Sequence, residues 1–169
     1  MVTIKPAVQD DCGEILEMIK ELADFEKLSD QVTATVDDLV RLLFKDKAGR
    51  ALIVRWDGKP AGYCIYFYNL STFKCKKGIY IEDIFVRPEY RKNGIGVWML
   101  QMVARTAAEE NCGRLEWACL DWNTYAKELY SSLGASEQSG WVSFRVDENE
   151  LPAFGTPKCR CCKENSEKG

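Results

Sequence analysis

The chain has 169 residues, of which 46% are hydrophobic and 29% are charged, and its formal net charge is −3. This length suits a single domain with a full core, and the small negative charge excludes a global basic field for nucleic acid. Because the sequence contains no histidine, histidine triads and histidine metal sites are excluded. No apolar run has transmembrane length and no signal-peptide pattern is present, so we expect a cytoplasmic protein without membrane contact and with reduced cysteines.

In the first half of the chain, hydrophobic spacing predicts four strands and two helices. The strands are expected at residues 2–8, 51–56, 60–68 and 79–86, and the helices begin after residues 11 and 35. Thr35 and Asp38 have the spacing of a capping box, which starts the second helix. Asp57 and Gly58 predict a hairpin turn, and residues 69–77 predict a polar loop.

The second half of the chain predicts two further helices and two further strands. The helices are expected near residues 97–108 and 123–133, and the strands at 115–120 and 141–146. Gly113 and Gly134 stand at the ends of these helices, where the left-handed backbone of a C-terminal cap favours glycine.

The order of these elements predicts an α/β protein in which helices cover both faces of a mixed central sheet. Apolar content falls after residue 150, so we expect one domain at 1–150 and a mobile tail at 151–169. Cys159, Cys161 and Cys162 cluster in this tail. Three cysteines without a histidine make a poor zinc site, so we predict no bound metal.

A loop with two glycines, residues 91–96, joins the strand at 79–86 to the following helix. Unpaired N–H groups at a helix start attract phosphate, and glycines let a ligand approach the backbone closely. The loop lacks the Lys-Ser/Thr pair of an ATPase P-loop, and Met99 replaces the third glycine of a dinucleotide-binding motif. It is therefore either a different phosphate-binding loop or an ordinary turn.

Glu82 and Asp83 interrupt an otherwise apolar strand, and alternation places them on opposite faces. Such carboxylates are either ion-paired or at a surface-exposed strand end, or they serve as a base and an amine-binding acid. An amine with a pKa near ~10 is mostly protonated at neutral pH and must lose a proton before it attacks a thioester. Tyr130, on the last of these helices, is either a core residue or a hydrogen-bond donor to a leaving thiolate.

The pattern Arg-x-x-Gly-x-Gly of residues 91–96 resembles the acetyl-CoA pyrophosphate loop of the GCN5-related N-acetyltransferases. Within that superfamily the chain is similar to the diamine acetyltransferases, the spermidine/spermine and thialysine N-acetyltransferase family. The stretches that carry this resemblance are residues 21–32, 80–86, 88–96, 120–123, 129–130, 133–135 and 140–141. The resemblance implies a mixed, mostly antiparallel central sheet flanked by helices on both faces.

The family's roles imply an acetyl-CoA-dependent enzyme that acetylates a primary amine of a small molecule. Tyr130 is then the general acid that protonates the CoA thiolate, and Glu82 is the base that acts through a water. The implied cofactor-binding residues are Ile84, Phe85, Val86, Arg91, Lys92, Asn93, Gly94, Ile95, Gly96, Val97, Asn123, Thr124, Tyr125 and Ala126. The implied amine groove consists of Phe25, Glu26, Asp83 and Trp141. Family members are homodimers whose groove is completed by the partner chain, so a homodimer is expected.

Departures from the family bear on the substrate. Phe73 and Lys74 stand where relatives keep a tryptophan, and Ser139 stands where polyamine-acetylating relatives carry a glutamate. Lys74, Lys76 and Lys77 add positive charge near the expected mouth of the groove. We therefore expect thialysine or a related diamine as the substrate, with spermidine or spermine as the first alternative. A protein-lysine acetyltransferase or a non-catalytic acyl-CoA-binding module is the second alternative.

Overall fold

The computed structural model describes residues 1–156, in which five strands form one sheet in the order β1-β2-β3-β4-β5. The strands are β1 Val2–Pro6, β2 Arg50–Trp56, β3 Lys59–Ser71, β4 Lys76–Val86 and β5 Leu115–Trp117. Neighbouring strands are antiparallel except β4 and β5, which are parallel. The mixed, mostly antiparallel sheet implied by the resemblance is confirmed.

The helices of the described residues are α1 Cys12–Phe25, α2 Val36–Val40, α3 Ile95–Glu109, α4 Thr124–Ser132 and α5 Leu151–Phe154. A π-helical turn, Arg41–Lys45, continues α2. The predicted capping box is confirmed, because the Thr35 hydroxyl accepts from the Asp38 N–H at 3.2 Å and the Asp38 carboxylate accepts from the Thr35 N–H at 3.1 Å. None of the helices described here is long and apolar enough to cross a membrane.

Helices pack on both faces of the sheet, as predicted. On one face, Ile15 of α1 and Leu39 of α2 are buried in a cluster with Ile53 of β2 and Tyr63 of β3. On the other face α3 packs along β4 and buries Met99. The strands therefore bury side chains on both sides, which explains why β2, β3 and β4 have long apolar runs.

The chain divides into two compact units, one at Met1–Asn123 and one that begins at Thr124. The first unit contains the sheet with α1, α2 and α3, and the second contains α4 and α5. Gly134 ends α4 as predicted, with a φ of 87°, and the Ala135 N–H donates to the Tyr130 carbonyl at 3.0 Å. A domain boundary at residue 150 stays a prediction.

The polar loop predicted at residues 69–77 is mostly strand. β3 continues to Ser71 and β4 begins at Lys76, and Asn69 pairs with Gly78 in the ladder. The Asn69 side-chain amide donates to the Glu116 carboxylate of β5 at 2.8 Å. Polar composition indicated a loop here, but the backbone of these residues pairs within the sheet, and the Asn69 amide nitrogen finds a partner on β5 while its side-chain oxygen is buried without a hydrogen bond in residues 1–156.

The strand predicted at residues 141–146 is wrong. Trp141, Val142 and Phe144 are 81%, 76% and 93% exposed, and no ladder of the described strands includes them. A β-favouring sequence forms a strand only where a neighbouring strand pairs with it. β5 likewise ends earlier than predicted, at Trp117. The first residues of the predicted tail form α5, and residues 157–169 lie outside the described part of the chain.

Candidate active site

A β-bulge in β4 sets the arrangement of the two carboxylates. Ile65 of β3 pairs with Asp83 of β4. The next residue of β3, Tyr66, pairs with Ile81, so the ladder passes over Glu82. The strict alternation that would place Glu82 and Asp83 on opposite faces is therefore interrupted, since bulges re-aim side chains. Glu82 is exposed to solvent, whereas Asp83 is half-buried.

Asp83 lies in surroundings that oppose its ionisation. Burial and then the charge of Glu82 raise the pKa of Asp83 to about 6, although the hydrogen bond from Tyr63 lowers it. The charge of Glu26 raises the pKa of Asp83 as well, and burial raises the pKa of Glu26 itself. The structure thus brings together two acids that the resemblance assigns to the amine groove, and an ammonium would relieve their repulsion.

Tyr63 of β3 is a site residue that the sequence analysis did not single out. Its side chain is fully buried, and its hydroxyl donates to the Asp83 carboxylate at 3.2 Å. Burial, and then the charge of Asp83, raises the pKa of Tyr63 well above its ordinary value, so the phenol stays a donor. A buried tyrosine needs a partner for its hydroxyl, and a carboxylate on the next strand is the signal that could have indicated it.

Arg91 lies beside the aromatic residues at the end of β4. Its guanidinium carbon is 5.1 Å from the ring centre of Phe25 and 5.6 Å from that of Phe85. Its Nε donates to the Val86 carbonyl at 2.8 Å. The Phe25 ring is also 5.7 Å from the ring of Trp122, a residue that the sequence analysis did not assign. A residue expected to bind the amine therefore contacts one expected to bind the cosubstrate.

The end of β4 is an open strand edge. β5 pairs with β4 only over residues 79–81, whereas β4 continues to Val86. The Arg87 N–H donates to the Ala61 carbonyl of β3 at 2.9 Å. By antiparallel alternation, Ile84 and Val86 then direct their backbone groups away from β3. No other strand of residues 1–156 covers this edge, so an extended ligand with amide groups can hydrogen-bond there.

The predicted phosphate loop forms an uncapped helix start. Lys92 and Gly94 have left-handed backbone, with φ values of 62° and 77°, and Gly94 is the N-cap residue of α3. No side chain in the described residues caps α3, and its first turn carries no acid. The N–H groups of Ile95, Gly96 and Val97 therefore have no acceptor within the helix. A Cβ added to Gly94 would meet nothing within 4 Å, so the space beside the loop suits an anion.

Two side-chain contacts hold the loop and α1 in place. The Asn93 side-chain amide donates to the Tyr90 and Arg91 carbonyls at 3.2 Å and 3.0 Å. The Arg87 guanidinium donates to the Glu21 carboxylate of α1 at 2.6 Å, with only 18% of the Arg87 side chain exposed. The second contact ties the C-terminal half of α1 to the end of β4, and so fixes the helix that ends at Phe25.

The remaining predicted site residues lie at and after the end of the first unit. The Asn123 N–H donates to the Leu120 carbonyl at 2.9 Å. In the second unit, the start of α4 is formed by Thr124, Tyr125 and Ala126. Tyr130 is half-buried and lies one turn after the buried Ala126, on the same helix face. Trp141 is exposed and lies outside the helices and strands of the described residues.

Two of the three lysines expected near the groove mouth, Lys76 and Lys77, have partners elsewhere. The Lys76 ammonium donates to the Asn111 side chain at 2.7 Å, and the Lys77 ammonium to the Glu110 carboxylate at 2.5 Å. Both partners follow the C-terminal end of α3, whereas the phosphate loop precedes its N-terminal end. These contacts lie at the opposite end of β4 from Val86.

Within residues 1–156, no group of cysteines and carboxylates is arranged to hold a metal ion. Cys159, Cys161 and Cys162 lie outside the described residues. The expectation that no metal binds stays a prediction.

The profile of the acetyltransferase (GNAT) family matches residues 15–135. The chain belongs to this family. The match includes the acids of β4, the phosphate loop and α4, and leaves out Trp141 among the predicted site residues. As a member of the acetyltransferase (GNAT) family the protein is an acyltransferase enzyme, which confirms the sequence prediction. Members of this family use acetyl-CoA as a cosubstrate.

Known proteins of this acetyltransferase family resemble the chain over most of its length. It is 41% identical to the thialysine N-epsilon-acetyltransferase of Bos taurus, over 86% of this chain and 92% of that protein. It is 33% identical to the spermidine/spermine N(1)-acetyltransferase-like protein 1 of Homo sapiens, over 88% of this chain but 23% of that protein. The solved structure of an integron cassette protein from the mobile metagenome of V. cholerae aligns with a TM-score of 0.78 and 25% identity, over 92% of this chain and 98% of that one.

Proposed function

We propose that this acetyltransferase transfers the acetyl group of acetyl-CoA to a primary amine of a small molecule, thialysine or a related diamine. The proposal depends on one arrangement: the acidic pair of Asp83 and Glu26 beside an open strand edge and an uncapped helix start. The acidic pair suits an ammonium, and the edge and helix start suit an amide chain that ends in phosphates. The 41% identity to the thialysine acetyltransferase of Bos taurus supports the choice of amine.

Acetyl-CoA is proposed to lie along the edge of β4 and over the start of α3. Its pantetheine amides pair with backbone groups of residues 84–86, and its pyrophosphate accepts hydrogen bonds from the loop at residues 91–97. The family resemblance assigns Asn123, and separately residues 124–126 of the second unit, to its lower arm. The backbone groups of Ile84, the Val86 N–H and the N–H groups of the helix start support this assignment, because within residues 1–156 they have no hydrogen-bond partner. The Val86 carbonyl already accepts a hydrogen bond from Arg91.

The amine is proposed to bind beside Phe25, Glu26 and Asp83 of the first unit, and the family resemblance alone adds Trp141 of the second unit to this groove. Glu82, which is exposed to solvent, takes one proton from the ammonium through a water, and so frees the lone pair of the nitrogen. The nitrogen attacks the thioester carbonyl carbon, so that a C–N bond forms and the C–S bond breaks. Tyr130 donates its proton to the departing thiolate, and the second proton lost by the nitrogen replaces it through solvent.

Thialysine suits this chemistry better than lysine does. Its thioether withdraws electrons and lowers the pKa of the nearby amine, so a larger fraction of the nucleophile is unprotonated at neutral pH. We therefore expect kcat/KM to be higher for thialysine than for spermidine, with lysine weaker than thialysine.

An acetyl-transfer assay at one pH tests the proposal with thialysine, lysine, spermidine and a lysine-containing peptide. Release of free CoA and mass spectrometry of the product report the transfer, and reactions without amine measure hydrolysis. A tenfold or greater preference for spermidine would assign the polyamine reaction instead, an alternative supported by the 33% identity to the Homo sapiens relative. Turnover of the peptide alone would contradict a small-molecule substrate.

We also propose that the protein is a cytoplasmic homodimer. The exposed apolar side chains of Trp141, Val142 and Phe144 in the second unit support dimerisation, because isolated proteins rarely keep such a run in water. Sedimentation of the full chain tests the dimer, and a monomer at all concentrations would contradict it. Imaging of the tagged full chain tests the location.

A further inference from the structure

Arg91 carries a charge that no acidic residue within residues 1–156 neutralises. The Nε of Arg91 donates to the Val86 carbonyl at 2.8 Å, and the guanidinium lies over the rings of Phe25 and Phe85. In residues 1–156 it forms no ion pair, whereas Arg87 binds Glu21 at 2.6 Å and Arg55 binds Asp11 at 2.7 Å. Because a guanidinium has five N–H donors, most of those of Arg91 remain available to a ligand.

The position of Arg91 relates it to the acidic pocket. Asp83 and Phe85 are two residues apart on one face of β4, a separation of roughly 6.6 Å. Tyr63 connects them, since its hydroxyl is 3.2 Å from the Asp83 carboxylate and its ring is 6.3 Å from that of Phe85. The guanidinium carbon of Arg91 lies 5.6 Å from the Phe85 ring centre. An acid and an unpaired cation thus stand along one face of the strand.

We propose that the Arg91 guanidinium binds the carboxylate of an amino-acid substrate whose side-chain amine is held at Asp83, a role that rests on the proposed function. Between its reactive amine and its carboxyl carbon, thialysine has as many bonds as two residues of extended backbone, which span roughly 7 Å. A ligand of this length that is bound at Asp83 can therefore extend along β4 toward Phe85, whose ring lies 5.6 Å from the Arg91 guanidinium carbon. A guanidinium binds a carboxylate through two parallel hydrogen bonds, which gives geometric selectivity as well as affinity.

Among the amines of the proposed function, the same arrangement favours an amino acid such as thialysine over simple diamines and polyamines. Their far end is a second ammonium, and Arg91 would repel it where it attracts a carboxylate. The Phe25 ring fixes the plane of the guanidinium on one side and is itself supported by Trp122 at 5.7 Å. Arg91 is therefore a specificity-determining residue, in place of the lysines at 76 and 77, which bind residues at the end of α3.

A matched pair of substrates tests this role. Thialysine and bis(2-aminoethyl) sulfide differ only by the carboxylate, so the ratio of their kcat/KM values reports carboxylate recognition alone. We expect Arg91→Gln to lower this ratio roughly 10- to 100-fold, the effect of losing a charged hydrogen-bond pair. Arg91→Lys keeps the charge but not the two-point geometry, so its ratio is expected between those of the wild type and Arg91→Gln.

The ratio of the two kcat/KM values also distinguishes binding of the substrate carboxylate by Arg91 from binding of the cosubstrate pyrophosphate by Arg91. A pyrophosphate ligand would affect both amines equally, so an unchanged ratio in Arg91→Gln would overturn the proposal. Arg105→Gln removes the same charge from an exposed position of α3 and is expected to keep the wild-type ratio. An equal fall of the ratio in Arg105→Gln would also overturn the proposal, because the effect would then be one of net charge.

Failure of the proposed function gives a different result. If the wild type acetylates neither amine, the reaction assigned above is wrong, and calorimetric titration in the presence of CoA decides the role of Arg91. Binding of thialysine that is weakened in Arg91→Gln, without a matching loss for the sulfide diamine, would support carboxylate recognition. Equal affinities of the wild type and Arg91→Gln for thialysine would overturn it.

Discussion

The two ends of β4 differ in how their charged groups are neutralised. At the beginning of the strand, Lys77 forms an ion pair with Glu110 at 2.5 Å, and this contact lowers the pKa of Glu110. At the other end, burial raises the pKa of Asp83 to about 6, and Arg91 has no ion pair in residues 1–156. Ion-paired groups of the chain stabilise the fold. Groups whose charged form is destabilised by burial, or that have no ion pair, are instead candidates for binding a ligand.

The largest expected effect is that of Glu82→Gln, which lies toward the end of β4 where Arg91 has no ion pair within residues 1–156. Loss of a general base is expected to lower kcat/KM by about 10²- to 10⁴-fold at neutral pH. The deficit should shrink as the pH approaches ~10, because the amine then loses its proton unaided. Rates measured across this pH range check the prediction, with Glu109→Gln as an exposed control on α3. A deficit that stays constant with pH would indicate a structural role for Glu82.

The next effect separates backbone strain from anion binding. Gly94 and Gly58 both have left-handed φ, 77° and 82°, and a Cβ added to either meets nothing within 4 Å. Gly94→Val and Gly58→Val should therefore lose similar stability, about 1–2 kcal/mol each. Only Gly94→Val is expected to weaken acetyl-CoA binding, roughly 10- to 100-fold by calorimetry, because only Gly94 adjoins the helix start. Equal acetyl-CoA affinities of the two variants would contradict a phosphate site in this loop.

Asp83→Asn should show that the acid proposed to bind the amine costs stability. The pKa of Asp83 in the folded protein, about 6, exceeds its ordinary value of 3.8. The protonated carboxyl therefore contributes fully to the free energy of unfolding below pH 3.8, and this contribution is lost as the pH rises through 6. At pH ~8 the loss amounts to as much as about 3 kcal/mol. Because asparagine does not ionise, the variant should gain stability relative to the wild type as the pH rises.

Urea unfolding at several pH values measures this gain for Asp83→Asn. Asp46→Asn removes the same charge from an exposed position and serves as the control. The amine KM should rise in Asp83→Asn although the fold becomes more stable, a combination expected of a binding residue. A stability difference that does not change with pH would contradict the raised pKa.

The smallest effect is expected at the beginning of β4, where Lys77 forms its ion pair with Glu110. Lys77→Met removes the ion pair to Glu110 at the surface, and exposed pairs contribute little, so Tm should fall by less than about 2 °C. The ratio of kcat/KM for thialysine and spermidine should stay within about twofold of the wild type. Thermal unfolding and the amine assay check both. A large shift toward spermidine would show that the lysines of this loop do act on the substrate.

Signals confined to a few residues predicted the local structure well. The capping box of Thr35 and Asp38 starts α2, and Asp57 and Gly58 form the hairpin with φ values of 47° and 82°. The acids of β4 were also predictable from the sequence, because carboxylates in an otherwise apolar strand must be solvated, ion-paired or used in the function of the protein. Each of these features is decided within about four residues, so the sequence contains the whole signal.

Features that depend on distant contacts were missed or wrong. α3 ends at Glu109 instead of at Gly113, because Asn111 takes the left-handed backbone, with a φ of 54°. Gly113 is small for another reason: its Cβ would lie 3.1 Å from the Cβ of Lys76. The bulge at Glu82 and the contact of Tyr63 with Asp83 depend on the register of β3 and β4, which the separate strand patterns do not specify.

The open edge of β4 also affects the solubility of the protein. An unpaired strand edge is a template on which a strand of another molecule can add, and this is a route to aggregation. Two features oppose that addition: the bulge at Glu82 breaks the even spacing of the backbone groups, and Arg91 occupies the Val86 carbonyl. The edge thus stays open to a small ligand, such as the cosubstrate proposed above, while it resists a neighbouring chain. We expect purified protein to stay in solution longer when CoA is included during storage.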